Sequence, residues 1–132
     1  MAAIHVEVVT PDGIRFEGMV DACTVPGFEG EFQVLSDHAG MIGQLLIGEI
    51  RLALSGKITR LSTSGGFIEV EKNNINIIAE TAELADDIEI DRAKRAEERA
   101  RNRLKQAKDI DIQRAKLALA RAVNRLKVAS QS

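Results

Sequence analysis

The chain has 132 residues, of which 45% are hydrophobic and only 3% aromatic, and its formal net charge is −2. This length is typical of one ordinary domain or a small domain with an appendage, and the core must be aliphatic. Cys23 is the only cysteine, which excludes an internal disulfide, and no apolar run approaches the roughly 20 residues of a membrane span. Because the N-terminus lacks the pattern of a signal or transit peptide, we expect a soluble protein that stays where it is made.

The near-neutral total hides an asymmetry between the two parts of the chain. Residues 86–132 contain 13 Lys and Arg but eight Asp and Glu, a formal charge of +5, whereas residues 1–85 carry −7. An acidic first part followed by a basic second part indicates two modules with different partners.

Short alternating or apolar runs separated by turn residues fill the first part of the chain. Ile4–Val8 alternates strictly, and Pro11-Asp12-Gly13 then supplies a turn. Further strands are predicted at residues 18–25, 32–35, 44–47, 49–54, 58–63, 67–70 and 75–79. About seven to nine short strands at this spacing are typical of a sandwich or flattened barrel.

The sequence period becomes that of a helix after Glu83. Asp86 or Asp87 can cap a first helix. Asp111 can cap a second helix after an interruption at residues 108–111. The apolar faces are rich in alanine and comprise Ala93, Ala96, Ala100 and Leu104 in the first helix and Ala115, Ala118, Leu119, Ala122, Val123 and Leu126 in the second. The short connection predicts an antiparallel hairpin. Alanine buries little area, so we expect weak attachment to the sandwich.

Four arginines share one face of the first predicted helix, at spacings of three and four residues: Arg92, Arg95, Arg99 and Arg103. Like charges repel, so the row needs compensation. Three sources are possible: solvent with nearby carboxylates, a phosphate, or an acidic protein surface. Two i,i+4 pairs are available, namely Asp91–Arg95 and Glu97–Arg101. They favour a solvated face for part of the row. The interspersed acids and the absence of neighbouring aromatics argue against a nucleic-acid-binding arm.

No residue set in the sequence supports catalysis or metal binding. One cysteine and two separated histidines lack the spacing of a metal site, and no nucleophile has a base and an orienting group. Ser64-Gly65-Gly66 lacks the rest of a phosphate-binding loop, and its glycines indicate a tight turn or a close strand crossing. We expect Cys23 in the core and His5 on the surface.

Several motifs, in this order, resemble a known family: "VVTPDG", "GFEGEFQVLSDHAG", "STSGGFIEV", "INIIAETAE", "DDIEIDRAKRAEERA" and "LALARAVNRLKVA". Over essentially the whole chain they are similar to the ε subunit of bacterial F-type ATP synthases. The resemblance implies an α+β protein with a ten-stranded β-sandwich over residues 1–84 and an antiparallel two-helix regulatory arm over residues 85–132. It also implies a non-catalytic rotor subunit in the central stalk, at the cytoplasmic face of the bacterial membrane and without direct membrane insertion.

The resemblance implies specific partners for each module. The sandwich would bind the γ subunit and the ring of c subunits, with Glu31 and His38 in a loop similar to the ring-facing loop of the family. Ala39-Gly40 stands where the family usually has Ala-Pro, so this loop is expected to be less rigid. The arm would switch between a folded state and an extended state that reaches the α/β catalytic hexamer and inhibits ATP hydrolysis.

In some members of the family the folded arm also holds ATP as a regulatory ligand, and no other cofactor is implied. The matching positions here are Glu83, Ile88, Glu89, Arg92, Ala93, Arg99, Arg121 and Arg125. Two facing rows of arginine can surround a triphosphate with forked donors, and Ala93 leaves room for a base. Glu89 replaces the expected Asp, so its carboxylate moves by about one bond length and its hydrogen bond weakens. A free-standing ATP-binding sensor is the alternative function.

Overall fold

The computed structural model describes residues 3–106 and 111–131, and it contains ten strands followed by two long helices. The strands are β1 (Ile4–Thr10), β2 (Gly13–Val20), β3 (Ala22–Gly27), β4 (Gly30–Val34), β5 (Met41–Leu45), β6 (Gly48–Leu54), β7 (Lys57–Thr63), β8 (Gly66–Glu71), β9 (Asn74–Ala79) and β10 (Ala82–Leu84). A 3-10 turn at Ala85–Asp87 leads into α1 (Ile90–Gln106) and α2 (Ile112–Ser130). The predicted α+β class is therefore confirmed. Of the predicted interruption at residues 108–111, residues 108–110 lie outside the described residues.

The strands form a nearly closed sandwich. Hydrogen bonding gives the order β10-β7-β6-β3-β5-β8-β9-β1-β2, with β4 paired to β3. β1 pairs with β9 in parallel, whereas the other pairings between described strands are antiparallel. In this order the strands from β10 to β3 join those from β5 to β2 through a single residue pair, Gly27 of β3 with Leu45 of β5.

The core of the sandwich is aliphatic, as the composition predicts. On β1 the side chains of Ile4, Val6 and Val8 are fully buried, because alternate residues of a strand face the same side. They join one cluster with the inward residues of the other strands: Val20, Cys23, Val25, Val34, Leu45, Ile50, Leu52, Leu61, Ile68, Val70, Ile75, Ile77, Ala79 and Ala82. Cys23 thus lies in the core, and burial raises the pKa of its thiol to about 12.

The strand predicted over residues 18–25 is wrong, because it is interrupted at Asp21. The backbone N–H of Asp21 donates to the carbonyl oxygen of Ala53 at 2.7 Å, and its carboxylate accepts from the N–H of Ser55 at 2.9 Å. These contacts with a distant turn end β2 and begin β3.

The predicted helix caps are also wrong. Asp86 and Asp87 lie in the 3-10 turn, and α1 begins only at Ile90. Asp111 does occupy the position before α2, but its side chain makes no capping hydrogen bond. The carboxylate of Asp111 therefore does not fix the start of α2.

The helices form the predicted antiparallel hairpin on an alanine seam. Ala93, in the first turn of α1, shares a buried cluster with Val128 near the end of α2, so the helices run in opposite directions. The other buried helix residues are Ala100, Ala115 and Ala122. Val123 was predicted on the apolar face but is 40% exposed.

Candidate functional site

A cleft of about 580 Å³ lies between the helical arm, α1 with α2, and one end of the sandwich. Helix residues form one wall, and residues of β2, β7, β10 and the adjoining loops form the other. The charged residues that line the cleft are Arg15, Arg92, Arg99, Arg103, Arg121 and Arg125, with Asp12 and Glu83. Six arginines and two carboxylates give the cleft a strongly positive character.

Helical spacing brings the arm arginines to the same place. Arg92, Arg99 and Arg103 are separated by seven and four residues, close to whole turns of α1. Arg121 and Arg125 are four residues apart on α2 and share a face. The antiparallel arrangement then sets the two rows opposite each other across the cleft.

Glu83 and Arg125 form the ion pair that joins β10 to α2. Nη2 of Arg125 donates to Oε2 of Glu83 at 3.1 Å, and Nε lies 2.6 Å from Oε1. The N–H at Nε is nonetheless not aligned with an acceptor and is buried. The contact is therefore a close ion pair with one good hydrogen bond, and both residues line the cleft.

The other arm arginines of the cleft lack such partners. Among the described residues, no carboxylate lies within 4.0 Å of the guanidinium groups of Arg92, Arg99, Arg103 or Arg121. Four uncompensated guanidinium groups around one cleft can bind a multivalent anion through charge-assisted hydrogen bonds.

The structure separates seven of the eight residues predicted to bind ATP into two groups. Five of them line the cleft: Glu83, Arg92, Arg99, Arg121 and Arg125. Ile88 and Glu89 instead line a shallower depression shared with Arg92 and Arg95. Arg92 is common to both, so it marks the boundary between them.

The room for a base that the sequence predicts beside Ala93 is not open. Ala93 is fully buried and Ile88 is 7% exposed, in the same cluster as Val128. The side chain of Val128, from the far end of the chain, fills space that local sequence cannot show to be occupied.

Of the two predicted ion pairs in α1, one forms. Nη2 of Arg101 donates to Oε2 of Glu97 at 3.2 Å. Asp91 and Arg95 do not approach within 4.0 Å in this part of the described chain, so that prediction is wrong. All four arginines of the row are exposed, so the solvated interpretation holds for the row even though only the Glu97–Arg101 ion pair of the two predicted forms beside it.

Sequence reasoning missed the part of the cleft that belongs to the sandwich. Thr10, Asp12, Arg15, Ser64 and Thr81 line it, and they come from strand ends and loops that converge only in the fold. The turn at residues 11–13 was the available signal, since turn residues often carry function.

A second missed feature is the polar contact that docks the arm. Nδ2 of Asn124 donates to the carbonyl oxygen of Gly48 at 2.7 Å and to Oγ of Ser62 at 3.0 Å. Asn124 interrupts the apolar pattern of α2, which was the sequence signal. The buried apolar cluster nearby joins α1 and α2 to the turn before α1 and contains no strand residue among the described residues; its members are Ala85, Ile88, Ala93 and Val128.

Glu31, predicted with His38 in the ring-facing loop, lies instead on β4 itself, near its start. Glu31 accepts a hydrogen bond from Arg51 at 2.6 Å, and this bond holds the pKa of the Glu31 carboxyl below its usual value. His38 lies in the β4–β5 loop, where its Nδ1 is 2.7 Å from the carbonyl oxygen of Ala39. Glu31 and His38 are therefore ordered by separate local contacts.

The sandwich and the paired helices each match a known family. Residues 3–85 match "ATP synthase, Delta/Epsilon chain, beta-sandwich domain" and residues 86–130 match "ATP synthase, Delta/Epsilon chain, long alpha-helix domain". The fold is thus that of a stalk component, and the resemblance stated from the motifs is confirmed. The chain belongs to the ATP synthase delta/epsilon chain family, and as a member it is a non-catalytic subunit of ATP synthase.

Within this delta/epsilon family, the similar relatives below are epsilon chains. The chain is 46% identical over 108 residues to the "ATP synthase epsilon chain" of Halalkalibacterium halodurans, covering 82% of this chain and 81% of the relative. It is 45% identical over 106 residues to that of Nitratidesulfovibrio vulgaris, covering 80% and 79%. A chain in the mitochondrial ATP synthase structure of Euglena gracilis has a TM-score of 0.84 at 24% identity, with 100% and 83% covered, which shows the shared fold.

Two further features of the described residues bear on chemistry. Neither α1 nor α2 combines the length and apolarity needed to cross a bilayer. Residues 3–106 and 111–131 bring no three His, Cys, Asp or Glu side chains together as a metal site.

Proposed function

We propose that this chain is the epsilon subunit in the central stalk of an F-type ATP synthase, where it turns with the rotor that couples proton translocation to ATP synthesis. Residues 1–84 bind the γ subunit and the c-ring at the cytoplasmic face of the bacterial membrane. Residues 85–132 form an arm that switches between the docked state described above and an extended state that inhibits ATP hydrolysis.

An exposed apolar patch supports a protein partner for the sandwich. Phe67 on β8 lies opposite Ile78 on β9 and Gln44 on β5, and Ile42 lies two residues further along β5 on the same face. Ile42, Phe67 and Ile78 are 75%, 56% and 62% exposed. Contiguous exposed apolar side chains mark interaction sites, and the γ subunit is the partner proposed for this face. Glu31 and His38 are the residues proposed to meet the c-ring.

The character of the arm supports the switch. Among the described residues, the docked arm meets the strands through a few polar contacts, chiefly those of Asn124 and the Glu83–Arg125 pair, while its small apolar cluster contains no strand residue. Such a contact stabilises docking by far less than a leucine-rich seam would. Once undocked, the basic helices can bind acidic surface of the α/β hexamer.

ATP is the ligand proposed to favour the docked state. The observation that carries this is the cleft itself: four arginines with no carboxylate within 4.0 Å among residues 3–106 and 111–131 face a space that the sandwich closes only when the arm is docked. A ligand that binds one state better shifts the population toward that state. ATP bound there therefore opposes the extended, inhibitory state.

The test is a disulfide that holds the arm in place. Ser62→Cys with Asn124→Cys joins the two side chains that are hydrogen-bonded at 3.0 Å. The double variant is assembled with α, β and γ subunits, and ATP hydrolysis is measured after oxidation and after reduction. We expect inhibition in the reduced complex and its loss in the oxidised one, because the cross-linked arm cannot extend.

Controls for this experiment come from the same chain. Each single cysteine variant should inhibit equally under both conditions, and Cys23 stays unreactive because burial raises its pKa to about 12. Truncation after Leu84 should abolish inhibition as the cross-link does. Equal inhibition by the verified cross-linked and reduced complexes would show that the arm does not act by extending.

A further measurement separates this function from that of a free ATP sensor. Co-purification with the γ subunit is expected for a stalk component. A chain that binds ATP but never associates with γ would be a sensor outside the synthase.

A further inference from the structure

The cleft has a contribution from the sandwich that the arm alone cannot supply. Arg15 on β2 and Asp12 in the preceding turn line it beside the arm arginines. The hydroxyls of Ser64 and Thr81, hydrogen-bonded to each other at 2.7 Å, lie in the same wall. The anion site therefore has two sides, of which one does not move with the arm.

The β1–β2 turn, which contains Asp12 and precedes Arg15, is ordered by its own hydrogen bonds. Oγ1 of Thr10 donates to the carbonyl oxygen of Gly13 at 3.3 Å and accepts from the N–H of Asp12 at 3.2 Å. Thr10 is only 5% exposed, and Gly13 adopts a φ of +126°, which favours glycine. The position of the turn is thus set before any ligand arrives.

A β-bulge places Arg15. Val8 pairs with Phe16 and Val9 pairs with Ile14, so Arg15 is the extra residue of β2 with no partner on β1. Bulges redirect a side chain and occur preferentially beside functional sites. Here the bulge directs an arginine to the end of the sandwich that faces the arm.

The charge of Arg15 is largely available to a ligand. Its one carboxylate neighbour among the described residues is Asp12, at 3.6 Å. The Asp12 side chain is 84% exposed and that of Arg15 42%, and an ion pair so exposed is weak. An incoming polyphosphate can therefore replace Asp12 as the partner of Arg15.

We propose that Arg15 binds the phosphates of the same ATP molecule that the arm arginines bind, so that the ligand bridges the sandwich and the arm. This inference rests on the proposed regulatory binding of ATP. A site made by the arm alone would bind ATP whether or not the hairpin is docked. A bridged site binds it tightly only in the docked state, and this difference in affinity gives ATP its control over the switch.

The test is calorimetry of the full chain with ATP and with inorganic triphosphate. Arg15→Gln removes the charge but keeps a polar side chain, and we expect both affinities to fall about tenfold. Arg15→Lys should recover part of this loss, because it restores the charge without the fork. Asp12→Asn should bind about twofold to threefold more tightly, because it removes a competing carboxylate.

Matched controls keep the outcome specific. Arg101→Gln removes an arginine of similar exposure that pairs with Glu97 outside the cleft, and its affinity should stay within about twofold of wild type. Arg99→Gln removes an arm arginine of the cleft and should weaken binding as Arg15→Gln does. Unchanged circular dichroism and urea midpoints show that the variants are folded.

Two results would overturn the inference, and they differ in reach. If Arg99→Gln weakens ATP binding and Arg15→Gln does not, the site belongs to the arm alone, and the proposed function stands without the bridge. If wild-type chain shows no heat with ATP up to millimolar concentration, the bridge and the regulatory role of ATP both fail. The stalk assignment would survive even then.

Discussion

The sandwich and the arm bury their apolar surface in different ways. The sandwich has one continuous cluster built from isoleucine, valine and leucine. The arm's own contacts depend on alanines, with one buried isoleucine and one buried valine, and this cluster includes no strand residue among the described residues. At about 25 cal/mol per Å² of apolar area, the second kind of contact stabilises far less.

This difference indicates which part of the chain can move. Regions with few buried apolar contacts open at lower free energy than the global unfolding of a domain. The sandwich keeps its own core when the arm leaves, since no residue of α1 or α2 that the structure describes belongs to the main cluster. A stable base and a low-stability arm support the proposed switch.

The largest expected effect comes from the sandwich core. Leu61→Ala on β7 removes a fully buried side chain and should lower the free energy of unfolding by about 3 kcal/mol. Urea denaturation followed by circular dichroism measures this. Ile58→Ala on the same strand, where the side chain is 50% exposed, is the matched control and should cost less than about 1 kcal/mol. Equal losses would mean that the core does not dominate stability.

The second effect concerns the close strand approach at Gly66. Its φ is +149°, and a Cβ there would overlap the carbonyl oxygen of Ile78 on β9. Gly66→Ala should therefore destabilise the sandwich by about 2 kcal/mol. Gly56→Ala is the control, because φ is +81° there but no atom lies within 4 Å of the added Cβ. A loss at Gly66 no larger than at Gly56 would show that overlap adds nothing to backbone strain.

The same contrast separates what the sequence could predict from what it could not. The burial of Ile4, Val6 and Val8 follows from alternation within a single strand, which is a local property. The crossing at residues 65–66 could also be expected from two adjacent glycines. The break at Asp21 could not, because the groups that define it come from Ala53 and Ser55.

The candidate site shows the same limit. Spacing along α1 and α2 predicts that Arg92, Arg99, Arg121 and Arg125 share faces, and the structure does bring them to one cleft. The burial of Ala93 depends on Val128 at the end of the chain. β10 and Arg15 were also missed, since pairing with β7 and a bulge against β1 are decided by distant partners.

The third prediction concerns arm docking. Asn124→Ala leaves the carbonyl oxygen of Gly48 and the hydroxyl of Ser62 without this donor, and should weaken docking by about 1.5 kcal/mol. Hydrogen exchange of the α2 amides should accelerate about tenfold, whereas β-strand amides should not change. Asn102→Ala, an exposed asparagine of α1, is the control. Faster exchange throughout the sandwich would show that the arm and the sandwich open together, which would contradict the difference in their stability.

The smallest expected effect is on the pKa of Glu31, which depends on one residue of the sandwich and one residue of the arm. The hydrogen bond from Arg51, and to a lesser degree the charge of Lys127 on α2, hold the pKa of Glu31 below its usual 4.5. A carboxyl whose pKa is lower when folded adds stability above pH 4.5, and loses it as pH falls through the folded pKa. Glu31 is exposed, so this amounts to roughly a few tenths of a kcal/mol.

Carboxyl-carbon NMR separates the two contributions to that pKa. Arg51→Gln should raise the pKa of Glu31 most, because it removes the hydrogen bond within the sandwich. Lys127→Gln should raise it less, and Asn124→Ala should raise it by no more than Lys127→Gln, since undocking removes the charge of Lys127 alone. Arg101→Gln should leave it unchanged. A larger shift from Asn124→Ala than from Arg51→Gln would mean that the arm, and not the sandwich, orders this corner of the molecule.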